Sequence, residues 1–471
     1  MKFVSPTQMK EMDLRTVREG VFSSLRLMQN AAEALYREVT ALMEEKGYTR
    51  VVLLAGRGNN GGDAYALACL LHPVYQPAVL EVGEGERSPD CEYYYQKCLE
   101  LGVPFVEDPA GFPLVVEGVF GTGFHGALPQ AAREVFARVE APVVAIDLPG
   151  GMDGNSGLCA EGTLKPVLTV TFAYYKPCHL FADCGRVVLA DIGIPTSYSD
   201  GIHRSLLQPS LPLRGDWGHK NSYGAVGLLV GAEEYPGAAA LALKGALNSG
   251  VGLVFGYLPE GPRAAAAAKF YGPVLKKETD LYPLGCDAYL AGSGLGRSED
   301  AGERVKYLWR TEKPLVVDGD GLWHLQSFLA PRKALTVLTP HLGEFARLLG
   351  MDPRAVAENR LELAEQFAKK YQVILVLKDA ATVVTDGEQT AVLSAPCSAL
   401  AKGGSGDLLA GLIAGLLAGK GEPLALVQTG VWLHNRAAQL AAREHSVRTL
   451  QPDRIADYLD DAWMELEHGN F

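Results

Sequence analysis

Short apolar runs that stop at glycine alternate with amphipathic stretches along most of this chain, and that alternation leaves few folds open. RVVLLAG (residues 50–56), PAVLEVG (77–83), a run at 114–120 and PVVAIDLPG (142–150) read as strands, with further runs at 167–173 and 186–192. Helical patterns lie between them at 63–71, 90–101 and 130–140, after two predicted helices at 7–19 and 27–45. Continuously apolar strands separated by helices predict a parallel sheet covered on both faces. The theme returns with different sequence at 226–234, 252–259, 288–296, 314–322, 335–344, 373–380 and 382–387, and the last third is helical. Between the two sets, residues 193–218 hold Pro195, Pro209 and Pro212 and little periodicity. A boundary near 210 therefore predicts two α/β domains, 1–210 and 211–471, with no internal repeat.

Composition narrows the partners. A net charge of -12 argues against a nucleic-acid or anionic-membrane surface. The 8 cysteines are scattered, none as C-x-x-C, which suits a reduced compartment and no zinc site. No apolar segment follows the charged N-terminus, and residues 408–419 fall short of the roughly 18 a membrane span needs. The expectation is a soluble, cytoplasmic homo-oligomer acting on small molecules, with no nucleic-acid or membrane partner.

AKGGSGDLLAGLIAGLLAGKG (401–421) places glycines at the mouth of the most apolar helical run. Glycine costs a helix about 1 kcal/mol against alanine. Its use here points to bare backbone amides at a positive helix end, an anion hole. Two readings of Asp407 stand: an N-cap, or a base taking a proton from a hydroxyl while the loop holds a transferring phosphoryl group. No G-K-[ST] follows, so this is not a P-loop.

GGSGDLLAG resembles the G-[ATS]-G-D motif of the ribokinase-like superfamily, and in particular its NAD(P)H-hydrate dehydratase branch. HKNSYGAVGLLVG (219–231) with YPGAAALA (235–242), GSGLG (292–296), DGDGL (318–322), TPHLGEFARLLG (339–350) and VLKDAATVVTDG (376–387) are similar to that branch's motifs in order. The resemblance implies a ribokinase-like second domain with Asp407 as general base. The amides of Gly403, Gly404, Ser405 and Gly406 would hold the phosphoryl group. Lys378, Asp379, Ala380, Ala381 and Thr382 would contact the nucleotide, and Ala238, Gly296 and His341 would line the hydrate pocket. A turn or core histidine remains the other reading of His341, and a solvated strand end that of Lys378.

AGRGNNGGDAYALA (55–68) satisfies G-x-G-x-x-G through Gly56, Gly58 and Gly61, with Glu81 20 residues beyond Gly61. Taken literally that is a dinucleotide fingerprint. Asn59, Asn60 and Asp63 argue otherwise, since polar side chains stand where that turn wants small ones. Their oxygens suit a cation or a sugar hydroxyl. The stretch resembles the GNNGGD signature of the NAD(P)H-hydrate epimerase family. GVFGTGFHG (118–126), IDLPGGMDGNSG (146–157) and MQNAA (28–32) resemble that family's other motifs. This implies a Rossmann-like three-layer first domain. Substrate contacts would come from Asn59, Asn60, Gly61, Gly62, Asp63, Gly121, Thr122, Gly123, Phe124, His125, Gly126 and Ala127. Asp147 would be the acid/base or orienting group, and potassium would sit at Asn60, Glu117 and Gly150. Three positions depart from the family pattern: Glu117 for aspartate, Gly150 for the serine of D-I-P-S-G, and Ala64 for glycine. The other readings are a turn capper for Asp147, a helix cap for Asp63 and an exposed loop residue for His125.

Together the two halves resemble enzymes that repair hydrated nicotinamide dinucleotides. The implied substrates are NADHX and NADPHX, with K+, Mg2+ and ADP or ATP as phosphoryl donor, the choice of donor left open. A ribokinase-like small-molecule kinase with a binding-only first domain is the rival expectation, and a NAD-dependent dehydrogenase the next.

Overall fold

The computed structural model describes residues 1–282 and 285–469. The chain divides into two compact units, Met1–Ile202 and His203–Phe471. This division falls ahead of the expected 210. The strand β7 (Arg204–Leu206) pairs in parallel with β16 (Thr390–Leu393) at the edge of the second sheet, so pairing claims the start of a segment that composition marks only as irregular.

The first unit is built on six parallel strands: β1 (Arg50–Ala55), β2 (Gln76–Glu81), β3 (Val115–Gly118), β4 (Val143–Ile146), β5 (Leu168–Phe172) and β6 (Arg186–Ala190). Their order is β2-β1-β3-β4-β5-β6. Alternate residues serve opposite faces, as the pleat requires. Val51 and Leu53 pack with Leu35, Val39 and Leu67 from the helices Ser24–Lys46 and Asn59–Leu71. Val52 and Leu54 pack with Leu128, Ala132 and Phe136 on the other side. Three layers result. The chain leaves β1 for β2 on one side and returns to β3 on the other, which opens a crevice at the carboxyl ends of β1 and β3.

The second unit carries ten strands in the order β10-β9-β8-β11-β12-β13-β14-β15-β16-β7. Those not yet placed are β8 (Ala225–Leu229), β9 (Leu253–Leu258), β10 (Val274–Lys277), β11 (Ala288–Ala291), β12 (Leu315–Val317), β13 (Thr336–Leu338), β14 (Ile374–Leu377) and β15 (Thr382–Thr385). All neighbours are parallel except β14–β15 and β15–β16. The helix Ser405–Ala418 is buried along nearly its whole length, which explains its apolarity. It crosses the helix Pro236–Leu247 at close range. A Cβ on Gly411 would lie 2.0 Å from the Ala242 carbonyl oxygen, and one on Gly245 would lie 2.1 Å from that of Leu408. No helix among the described residues is long and apolar enough to cross a membrane.

Candidate active sites

In the first unit a cleft of about 1380 Å³ opens at the crevice. It is lined by Asn59, Asn60, Asp63, Gly121, Thr122, Gly123, Phe124, His125, Ala127 and Asp147, so most of the expected contacts meet in one place. The loop expected around the asparagines is instead the first turn of the helix Asn59–Leu71. Gly61 and Gly62 sit behind the cleft: a Cβ on Gly61 would lie 2.0 Å from the Gly56 carbonyl oxygen, and one on Gly62 would lie 2.5 Å from Met28 Cε. Gly61 lets the helix approach the end of β1, and Gly62 lets it approach the helices that carry Met28 and Cys91. Gly126 takes a left-handed φ of 87°. His125 is mostly exposed and its Nδ1 lies 2.7 Å from Asp153 Oδ2. Glu81, the acid a dinucleotide fingerprint would use, is occupied by Arg57, Arg87 and the Tyr65 hydroxyl.

Asp147 follows β4 in a left-handed conformation, φ 63°, rarely taken by a residue with a side chain. Its Oδ1 accepts from Lys176 Nζ at 2.6 Å and Thr171 Oγ1 at 2.9 Å. Lys176 is 1% exposed and spends its other donors on Thr171 Oγ1 and the Phe172 carbonyl. His179 accepts at Nδ1 from the Lys176 amide and donates from Nε2 to the Asp147 carbonyl. Burial opposes ionisation of Asp147, but Lys176 outweighs it and holds the carboxyl below its ordinary value. Asp63 is driven the other way, well above the usual carboxylate range, by burial and the Asp147 charge. Asp13, from the helix Pro6–Arg18, also lines the cleft; burial pushes it up to about 6 against the pull of Lys176. Two carboxyls driven apart by their surroundings supply one proton acceptor and one donor. The sequence reading missed Lys176 and Asp13, since neither lies in a quoted motif.

Asn60, Glu117 and Gly150 also meet. Asn60 Nδ2 donates to the carbonyls of Phe120 (2.8 Å) and Ile146 (2.9 Å). Glu117 is fully buried; Oε1 accepts from the Val119 amide and Oε2 from the Gly150 amide, each at 2.7 Å. This donor set does not fit potassium. Its carboxylate oxygens already take N–H groups, Gly150 has no hydroxyl, and Asn60 turns N–H rather than carbonyl oxygen to its neighbours.

In the second unit the crevice lies between β8 and β11, where strand order reverses. The helix Ser405–Ala418 begins there on Gly404, left-handed at φ 94°, with no side-chain cap. A Cβ on Gly403 would meet nothing within 4 Å, whereas one on Gly406 would lie 2.9 Å from Lys378 Nζ. Lys378 follows β14 and pairs with Asp318 Oδ1 at 2.7 Å, which also accepts from Thr339 Oγ1. Burial opposes the Lys378 charge, yet Asp318 and Glu344 outweigh it and raise its pKa. An ammonium and a helix N-terminus thus converge on one glycine loop, a site for phosphate. Asp407 makes no cap here. Burial and the Asp318 charge push its carboxyl up to about 7, matched to a general base near neutrality. Ser405 Oγ lies 3.2 Å from Nε2 of buried His434, which burial and Lys378 hold down at about 4, hence neutral.

Ala238 lies in the first turn of the helix Pro236–Leu247, and Gly296 on the loop that follows β11. A Cβ on Gly294 would sit 2.6 Å from that of Ala238, and the Gly296 amide donates to Asp320 Oδ2 at 2.9 Å. His341 is an exposed N-cap whose Nδ1 accepts from Gly343 and Glu344, and it bridges to Lys378 through backbone pairing. Asp379 pairs with Arg360 at 3.0 Å and accepts from the Ala380 amide, while Ala381 is buried and Thr382 opens β15.

Two family profiles match, one described as NAD(P)H-hydrate dehydratase over residues 226–461 and one as YjeF-related protein N-terminus over 24–178. The bifunctional NAD(P)H-hydrate repair enzyme Nnr of Moorella thermoacetica is 32% identical over 99% of this chain and 97% of its own. That of Mycobacterium tuberculosis is 35% identical over 83% and 84%. Among solved structures, the ADP/ATP-dependent NAD(P)H-hydrate dehydratase of Bacillus subtilis, co-crystallised with ATP and Mg2+, is 30% identical, covers 55% of this chain and 95% of its own, and has a TM-score of 0.51.

Proposed function

This chain belongs to the family of bifunctional NAD(P)H-hydrate repair enzymes, and from that membership we propose how its two sites divide the work. The first unit interconverts the two epimers of hydrated NADH and NADPH. The second removes the added water from one epimer at the expense of ADP or ATP, restoring the dinucleotide and releasing phosphate.

In the second unit, Asp407 takes the proton of the substrate hydroxyl as its oxygen bonds to the terminal phosphoryl group of the nucleotide. The bond from that group to the nucleotide breaks. The amides of residues 403–406 and the Lys378 ammonium face the charge that grows on the phosphoryl oxygens, the largest expected contribution to rate. The phosphorylated oxygen then leaves as phosphate, pushed by the ring nitrogen lone pair, and a proton is lost from the neighbouring ring carbon. Magnesium neutralises nucleotide charge when bound and takes most of its ligands from phosphates and water. Asp318 would share it, since Oδ1 holds Lys378 and Thr339 while Oδ2 faces Gly406. Asp379 to Thr382 would flank the nucleotide, and Ala238, Gly296 and His341 the hydrate.

In the first unit, inversion at the hydrated carbon proceeds by opening the ring or by losing and regaining water. Either route needs one group to take a proton and another to give it. Asp147, held ionised by Lys176, takes it; Asp63, kept protonated by burial, gives it. The loop 121–127 would wrap the dinucleotide phosphates.

The observation that carries this reading is Asp407, near-neutral in pKa, beside Lys378 at the glycine mouth of a buried helix. The test mixes full-length protein with both epimers of hydrated NADH and magnesium, then adds ADP or ATP separately. Full return of the NADH absorbance is expected with at least one nucleotide. A stable phosphorylated product with no return of absorbance would make the second unit a kinase.

A further inference from the structure

The contact between Glu117 and Gly150 is built differently from a cation site. Glu117 is the next-to-last residue of β3 and Gly150 follows β4, 33 residues on. A Cβ at position 150 would lie 2.4 Å from Glu117 Oε1, 2.7 Å from its Cδ and 2.9 Å from Oε2. The carboxylate therefore fills the volume that any side chain at 150 would occupy. Glutamate reaches one methylene farther than aspartate, and only glycine opposite leaves it room.

Both carboxylate oxygens are also engaged. One oxygen accepts the Val119 amide of the loop after β3, the other the Gly150 amide of the loop after β4. Asn60 ties the same two segments by donating to the Phe120 and Ile146 carbonyls. With an atom 2.8–2.9 Å from both carbonyl oxygens, that end of Asn60 has to be its N–H₂ group. Two carbonyls open to a cation face a donor instead. A hard cation needs several oxygens turned toward it, and here each is spent on an N–H.

We propose that Glu117 and Gly150 act together in place of a bound cation: the Glu117 carboxylate, seated on Gly150, ties the two loops that wall the first cleft and frees this site from any potassium requirement. The kinetic arm of the test rests on the epimerase reading; the thermal arm does not.

The test uses full-length protein exchanged into N-methylglucamine chloride, then compared in KCl and NaCl at equal ionic strength. One readout is the unfolding midpoint. The other is exchange between the two epimers, followed by proton NMR without nucleotide. For the natural chain, the midpoint should be the same in all three salts and the exchange rates should agree within about twofold, the spread left to general ionic effects. A cation bound at a hundredfold excess over its Kd would instead raise the midpoint by about 5–10 °C. The paired variant Glu117→Asp with Gly150→Ser should gain a potassium-specific rise in midpoint that Gly150→Ser alone lacks. A saturable, potassium-specific rise in midpoint or rate for the natural chain would overturn the proposal. Exchange absent in every salt would sink the epimerase reading, and the thermal arm would still decide this one.

Discussion

Two glycine-rich stretches open helices in this molecule, and they do opposite things. At residues 56–62 all the glycines but Gly58 face protein: a Cβ on Gly56 would lie 2.1 Å from the Val119 carbonyl oxygen, and one on Gly61 would lie 2.0 Å from that of Gly56. Their role is to press the helix Asn59–Leu71 onto the sheet so that Asn60 and Asp63 reach the cleft. At residues 403–406 Gly403 faces open space, Gly404 is left-handed, and Gly406 lies under the Lys378 ammonium. There, on the proposed reading, the backbone itself is the binding surface. Glycine in a sequence signals close approach, but only the neighbours say whether protein or ligand approaches.

The acids differ in the same way. The first cleft spreads its carboxyls, Asp147 below the usual range, Asp13 at about 6 and Asp63 far above it. The second places a single carboxyl, Asp407, near neutrality. The largest expected effect tests that division. Asp407→Asn should lower the dehydration rate by about 10²–10⁴-fold and leave epimer exchange untouched, whereas Asp147→Asn should do the reverse by a similar factor. NADH absorbance and proton NMR on one sample read the two activities, and either variant lowering both would break the division.

The pH profiles sharpen it. Asp407 must be ionised to act as a base, and its carboxyl sits at about 7, so dehydration should climb as pH rises through 7 and then level off. Exchange needs Asp63 protonated. It should hold across that range and fall on the alkaline side as Asp63 loses its proton. Parallel profiles would refute the assignment.

The smallest effect compares the glycines. Gly61→Ala should cost roughly 1–3 kcal/mol of stability, because its Cβ meets backbone that has to move. Gly403→Ala should stay within about 0.5 kcal/mol while weakening nucleotide-dependent turnover. Denaturant unfolding and dehydration kinetics on both variants would expose any exchange of these roles.

The buried strands of both units were readable because they are continuous apolar runs, many of them stopping at a turn glycine, with helical periods between them. The edge strands β7 and β10 were not, nor was β16, which lies between β15 and β7. Val274–Lys277 ends in two lysines, Thr390–Leu393 lies beyond a hairpin turn, and Arg204–Leu206 sits among prolines. An edge strand shows one open side and lacks the continuous apolar signature. Asp407 and Asp147 were legible because each sits in a glycine-marked motif at a strand or helix end. Lys176, Asp13 and His434 were not, since a lone lysine, acid or histidine has no periodic or spacing signal.

Local chemistry alone determined the two α/β sets, the class of each glycine motif, the carboxylates at their mouths and the family resemblance. Hydrophobic period and backbone freedom are short-range properties, written within a dozen residues. The tertiary structure decided which carboxyl is ionised, where the glycines face, and that Glu117 fills the space above Gly150. Those depend on charges and surfaces brought together from distant segments, Lys176 beside Asp147, Lys378 over Gly406, Glu117 against Gly150. Burial and Coulomb interaction are set by distance in space, and no spacing along the chain encodes it.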